Sequence, residues 1–144
     1  PIWMGKAVIA AFRDAGFRDV IVAARNRDSG PALAKQYGFQ WQPLPEGIAC
    51  DILVNVTPVG MAGGKESDEL AYSEAMVASA SVVFDVVALP PDTPVIKLAQ
   101  KLGKKTISGA EVIALQAVEQ FAMYTGVRPD DALISEAAEF ARAG

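Results

Sequence analysis

Asp51-Ile52-Leu53-Val54-Asn55-Val56-Thr57-Pro58-Val59-Gly60-Met61 is the stretch whose reading decides the fold. Its first half is a short apolar run rich in branched side chains, the pattern of a strand buried on both faces. Its second half is turn chemistry. Asn55 and Thr57 can hydrogen-bond exposed backbone or a ligand, Pro58 holds Thr57 extended, and Gly60 permits a positive-φ turn. The same pattern recurs on both sides. Val20–Ala24 and Ser81–Val87 read as buried strands, and Phe39–Trp41 and Lys105–Ser108 as short ones. Val59–Lys65 is a glycine-rich loop.

Helical periods fill the intervals. They run over Met4–Ala15, over a segment capped by Asp28 or Ser29 and ending at Tyr37, over Ser73–Ala80, from Thr93 to Leu102, and over Gly109–Tyr124. Gly16, Gly38, Gly103 and Gly126 close four of them. A last helix begins at Pro129, with Asp130 and Asp131 in its first turn, where the helix dipole favours negative charge. Strands separated by helices predict an α/β fold with a parallel sheet covered on both faces. Right-handed crossovers make it doubly wound and Rossmann-like. Ligands of such sheets bind at the carboxyl ends of the strands, which directs attention to Arg25-Asn26, to Asn55–Met61, to Ala88-Leu89, and to Ser108-Gly109.

Composition narrows the chemistry. The 144 residues contain no histidine and one cysteine, with a net charge of −4. Histidine-based nucleophile systems, a histidine general base and a zinc site with histidine ligands are therefore excluded. One cysteine forms no internal disulfide, and no catalytic or metal-binding residue is assigned. The chain is 51% hydrophobic and 21% charged, enough for one domain with a real core. An isoelectric point near 4.8 argues against a nucleic-acid footprint. The sequence shows neither an apolar run long enough to span a bilayer nor a signal peptide, so a cytoplasmic setting without a membrane partner is expected.

Several side chains have two readings. Arg25 follows a strand, where an arginine suits the 2′-phosphate of NADP, but it could equally be a solvated basic turn. Arg27 is close enough in sequence to help. Gln116 either donates to a substrate or faces water beside Glu119 and Gln120. Lys65 is the one lysine in the glycine-rich loop. Cys50, Trp41, Tyr124 and the phenylalanines read as core.

Together the strand ends resemble the nucleotide-binding, C-terminal half of the shikimate dehydrogenase family, in particular its shikimate/quinate dehydrogenase-like branch. Asp51–Met61 looks like the family's strand and "N-x-T-S-x-G-M" loop. Phe84-Asp85 through Thr93-Pro94 looks like its "D-x-x-Y-x-P-x-x-T-P" segment. Gly109 to Phe121, then Tyr124-Thr125-Gly126, looks like its "G-x-x-M-L-x-x-Q…F…W-T-G" helix. The resemblance implies an NADP-linked oxidoreductase that interconverts a cyclic 3-hydroxy acid, of shikimate or quinate type, and its 3-keto form. It places Arg25 and Asn26 at the 2′-phosphate clamp. Asn55, Thr57, Val87, Gly109 and Val112 fall on the cofactor side, and Gln116 at the substrate.

The departures are specific. The clamp has Ala24 and Asn26 where the family has asparagine and threonine. Ala88 stands for a tyrosine and Val112 for a methionine. Ile2 and Trp3 fall on two positions of the family's phosphate-binding glycines. The strand before that turn, central in the order 3-2-1-4-5-6, is expected to be missing, leaving a gap between the strands at 20–24 and 51–55. The family's N-terminal domain, with its catalytic lysine and aspartate, is outside residues 1–144. The chain by itself is thus expected to be inactive, and its open strand edges to favour a homo-oligomer. The competing expectation is a non-catalytic nucleotide-binding or dimerisation module.

Overall fold

The computed structural model describes residues 2–143. The chain runs α1 (Ile2–Asp14), β1 (Ile21–Ala23), α2 (Ser29–Tyr37), β2 (Gln40–Gln42), β3 (Ile52–Asn55), α3 (Glu74–Ser79), β4 (Val82–Asp85), α4 (Pro94–Lys101), β5 (Lys105–Ile107), α5 (Gly109–Thr125) and α6 (Asp131–Ala143). All strand pairs are parallel. The strands form two groups, β1-β2 and β3-β4-β5. In register, Ile21 faces Gln40, Ile52 faces Val82, and Val82 faces Lys105.

The order is that of a doubly wound sheet with its central strand left out. β1 and β3 each pair on one side only, and no ladder joins them. Between them lies a cavity of about 530 Å³. Its walls are β1 and β3, and Val8, Ile9 and Phe12 of α1 also line it. The expected gap is therefore present, in the expected place. The side chains of Ile2 and Trp3, and with them the question of crowding at the phosphate turn, lie outside the described residues.

The core sits on the three-stranded side. Leu53 and Val83 pack with Met76, Val77 and Ala80 from α3 and with Val95, Ile96 and Ala99 from α4. Local signals set these helices. Ser73 and Thr93 cap α3 and α4, and Pro94 opens α4. Ser108 and Glu111 form a reciprocal capping box on α5. At α2 the expectation needs correction. Asp28 makes no side-chain cap, and the side chain of Asn26 accepts from the amides of Asp28 and Ser29 instead. Asp130 likewise caps α6 through Leu133 N rather than lying within its first turn.

A second correction concerns the aromatic residues. Tyr124 is 85% exposed and Phe140 83%, and Phe17 and Phe121 are also exposed. Trp41 and Cys50 are half-buried. Periodicity shows that a residue lies on an apolar stripe but not that anything covers the stripe. Ile113, Leu115 and Met123 of α5 are exposed too, and α5 meets the sheet closely at Gly109, which abuts the backbone of Val86 and Val87. No helix among the described residues is long and apolar enough to cross a membrane.

Candidate functional site at the strand ends

The carboxyl ends of β3 and β4 are tied together by one buried carboxylate. Asp85 is fully buried, an expensive place for a charge unless hydrogen bonds compensate it. Its Oδ1 accepts from Asn55 Nδ2 at 3.1 Å and from Val87 N at 3.0 Å. Its Oδ2 accepts from Thr93 Oγ1 at 2.7 Å. Burial pushes the Asp85 carboxyl above the ordinary carboxylate range, while the donors from Val87, Thr93 and Asn55 pull it back down.

Asn55, also buried, passes this order outward. Its Oδ1 accepts from Thr57 N at 3.0 Å and Thr57 Oγ1 at 2.6 Å, and its Nδ2 also reaches Val59 O at 3.3 Å. The Asn55–Gly60 turn is thereby fixed from inside. Gly60 adopts φ of +85°, and a Cβ there would lie 3.1 Å from Pro94 Cδ. Ala62 N donates to Leu89 O at 2.9 Å, joining the glycine-rich loop to the segment after β4. Tyr72 closes the rear: its hydroxyl donates to Val54 O at 2.6 Å, and burial raises its pKa and keeps it neutral.

Val87, Gly109 and Val112 assemble next to this cluster. Val87 is buried, and its amide is held by Asp85. Gly109 is buried at the start of α5, and a Cβ there would collide with the Val86 and Val87 carbonyls. Only glycine lets that helix start so close to the strand end. Val112, one turn on, is half-buried. Asn55, Thr57, Val87 and Gly109 therefore come from three chain segments meeting at one rim, and Val112 lies one turn further along α5.

Arg25 and Asn26 stand apart from that rim, after β1. Arg25 is exposed and, among the described residues, makes no ion pair. The Asn26 carbonyl oxygen is used in capping α2. Gln116 is exposed on α5, and no hydrogen bond from its side chain is present among the described residues. Lys65 is exposed in the loop.

The roles of Asp85 and Tyr72, and the donation of the Thr93 hydroxyl to Asp85, were not evident in the sequence. Asp85 had a signal that could have found its role: an acid inside the apolar run Ser81–Val87 has to be paired. Tyr72 had none. Among the described residues there is no cluster of acidic, cysteine or histidine side chains that could hold a metal ion.

The chain matches no family profile. Its similarity to individual proteins is high. A shikimate dehydrogenase-like protein of Haemophilus influenzae is 55% identical over 139 residues, covering 96% of this chain and 51% of that protein. The solved structure of a shikimate 5-dehydrogenase-like protein superposes with a TM-score of 0.93 at 55% identity, over 96% of this chain and 52% of the other. Shikimate 5-dehydrogenase from Thermus thermophilus, solved with NADP(H) and shikimate, gives 0.77 at 29% identity, over 94% and 50%. The chain spans about half the length of the relatives it matches. With its parallel strands, its tied strand ends and this similarity along nearly its whole length, the chain is homologous to shikimate dehydrogenase-like proteins.

Proposed function

We propose that this chain is the NADP-binding, C-terminal half of a shikimate dehydrogenase-like oxidoreductase. The parent reaction is reversible oxidation of a cyclic 3-hydroxy acid, of shikimate or quinate type, to its 3-keto form. The observation that carries the reading is the rim where Asn55, Thr57, Val87 and Gly109 meet, held by Asp85. The similar Thermus thermophilus protein, solved with NADP(H) and shikimate, supports it.

The residues present fit NADP at its two ends. Arg25 offers an exposed guanidinium after β1, suited to a 2′-phosphate. At the other end, Gly109 removes the side chain that would separate α5 from the strand ends, beside the turn that carries Thr57. When bound, NADP supplies the hydride chemistry. The chain's own contribution is orientation. The Asp85–Asn55–Thr57 bonds hold the loop before the ligand arrives, so no ordering has to occur on binding. Gln116 presents a free amide from α5 to the substrate side. No general acid or base among these residues faces the rim: Asp85 is sequestered and Tyr72 spends its proton on Val54 O. The proton-transfer groups of the reaction lie in the family's other half, and the isolated chain is accordingly inactive.

Calorimetric titration with NADPH tests the binding reading. Saturable binding that is lost in Arg25→Ala supports it. Absence of binding at millimolar NADPH favours the non-catalytic module. NADP reduction by the isolated chain on addition of shikimate or quinate would overturn the assignment of the chemistry to the other half.

A further inference from the structure

Asp85 is the one charged side chain that is buried among the described residues, and its partners fix its ionisation. All of them are donors: Asn55 Nδ2 at 3.1 Å, Val87 N at 3.0 Å and Thr93 Oγ1 at 2.7 Å. Thr93 is itself fully buried, and its hydroxyl proton has no other acceptor among the described residues. A proton on Asp85 would leave either that hydroxyl or the new carboxyl proton without a partner, which is costly inside a protein. The network therefore holds an anion. Tying the strand ends does not by itself require one, since an asparagine carbonyl could accept from Asn55 and Val87 equally well. Little around Asp85 cancels its charge. The charged side chains of the neighbouring segments, Lys65, Asp92 and Glu111, are exposed and screened by water. Glu111 accepts from Ser108 in the capping box and offsets the positive end of α5. Tyr72 is neutral. The field of Asp85 is thus weakly screened toward Val87, whose amide it holds and against whose carbonyl Gly109 packs.

We propose, resting on the cofactor reading above, that Asp85 makes the rim selective between the two redox states of NADP and favours the oxidised form. In that reading the end of NADP remote from the Arg25 phosphate contact, the nicotinamide, lies at the rim beside Val87 and Gly109. The nicotinamide ring carries a positive charge in NADP+ and none in NADPH, while the two forms are nearly alike in shape. A fixed anion behind the strand ends attracts the first and is indifferent to the second. Asp85 is a specificity-determining residue rather than a catalytic one: it is sequestered from the rim and acts on it through space.

The test is calorimetric titration of the full chain, wild type and Asp85→Asn, with NADP+ and with NADPH. The readout is the ratio of the two dissociation constants, because lost order at the rim moves both together and lost charge moves only one. Asp85→Asn is expected to raise Kd(NADP+)/Kd(NADPH) about fivefold or more. Asp92→Asn removes an equal charge from the exposed surface of the same segment and is expected to leave the ratio within about twofold. A measurement on the wild type stands even where Asp85→Asn does not fold. By reciprocity, the carboxyl carbon of the buried aspartate, followed by carbon-13 NMR, is expected to titrate at lower pH with NADP+ bound than with NADPH bound. The proposal is overturned if both forms bind and Asp85→Asn leaves the ratio unchanged, if Asp92→Asn shifts it as much, or if the buried carboxyl titrates alike in the two complexes. Binding of neither form by the wild type overturns the cofactor reading as well, so the two failures are told apart.

Discussion

The two groups of strands are built from similar sequence and end in different states. β3-β4-β5 is sealed by α3 and α4: Val77, Val83 and Ala99 are completely buried, and Val95 and Ile96 nearly so. β1-β2 carries comparable apolar residues, yet among the described residues Val22 and Ala34 are the buried hydrophobics from α1 to β2. A two-stranded ribbon exposes most of its faces and needs a neighbour before it can bury them. β1 and β3 each have one paired neighbour and face the slot between them, but β3 belongs to a three-stranded group on which α3 and α4 pack. Burial of a strand depends on what stands beside it as much as on its own residues.

Deleting the same two methyl groups in each half gives the largest expected contrast. Val83→Ala is expected to cost about 2–3 kcal/mol in urea unfolding, and Val22→Ala about 1 kcal/mol. Equal costs would mean that the halves are equally packed and would break the comparison.

The two helix-start glycines sharpen it next. A Cβ at Gly109 meets the backbone of Val87 at 2.6 Å, which cannot yield, and Gly109→Ala is expected to cost about 2 kcal/mol. A Cβ at Gly30 meets Ala24 Cβ at 2.9 Å and the Trp41 indole, whose turning breaks its bond to Ala24 O. Gly30→Ala gains helix propensity, which offsets part of this, so its net cost is expected to be about 1–2 kcal/mol, below that of Gly109→Ala. Thermal or urea melts of the two variants check the order.

The buried acid gives the three-stranded half a pH signature. Burial raises the pKa of Asp85 in the folded state. From the unfolded value near pH 4 up to that raised value, the folded chain binds more protons than the unfolded one. Stability from this group therefore falls as pH rises through that window, by at most about 1.4 kcal/mol per pH unit, and is flat above it. The stability difference between the wild type and Asp85→Asn, measured by urea unfolding at successive pH values, is expected to fall through the window. A difference that grows with pH would mean that the donors from Asn55, Val87 and Thr93 outweigh burial.

The smallest effect is on the other side. Trp41 Nε1 donates to Ala24 O at 3.1 Å, the side-chain link between β2 and the end of β1. Trp41→Phe removes it, with an expected loss of about 1 kcal/mol and faster amide exchange in β1.

Periodicity and punctuation made much of the fold legible. β1, β3 and β4 fall inside runs read from branched apolar residues, β5 lies within Lys105–Ser108, β2 sits one residue beyond the expected Phe39–Trp41, and Thr93, Gly38 and Gly126 cap or close the helices they were expected to. The gap between the strands at 20–24 and 51–55 was legible only through the family resemblance, which implies the strand order and the missing neighbour. At the site, Asn55 and Gly60 were readable as turn chemistry. Asp85 as the hub was not, because its three donors come from residues 2, 8 and 30 positions away. Tyr124 and Phe121 were misread because an apolar stripe carries no information about its cover.

The sequence by itself determined the alternation of strands and helices, the turn at Asn55–Gly60 and the absence of histidine chemistry, since these depend on residue type and on neighbours within a few positions. Only the tertiary structure decided that Asp85 ties two strand ends, that Gly109 must be bare against Val86 and Val87, and that β1 and β3 face an apolar slot. These are contacts between segments distant in the chain. Chain-local preferences place each segment in its element, but hydrogen bonds and packing across the sheet determine which segments meet.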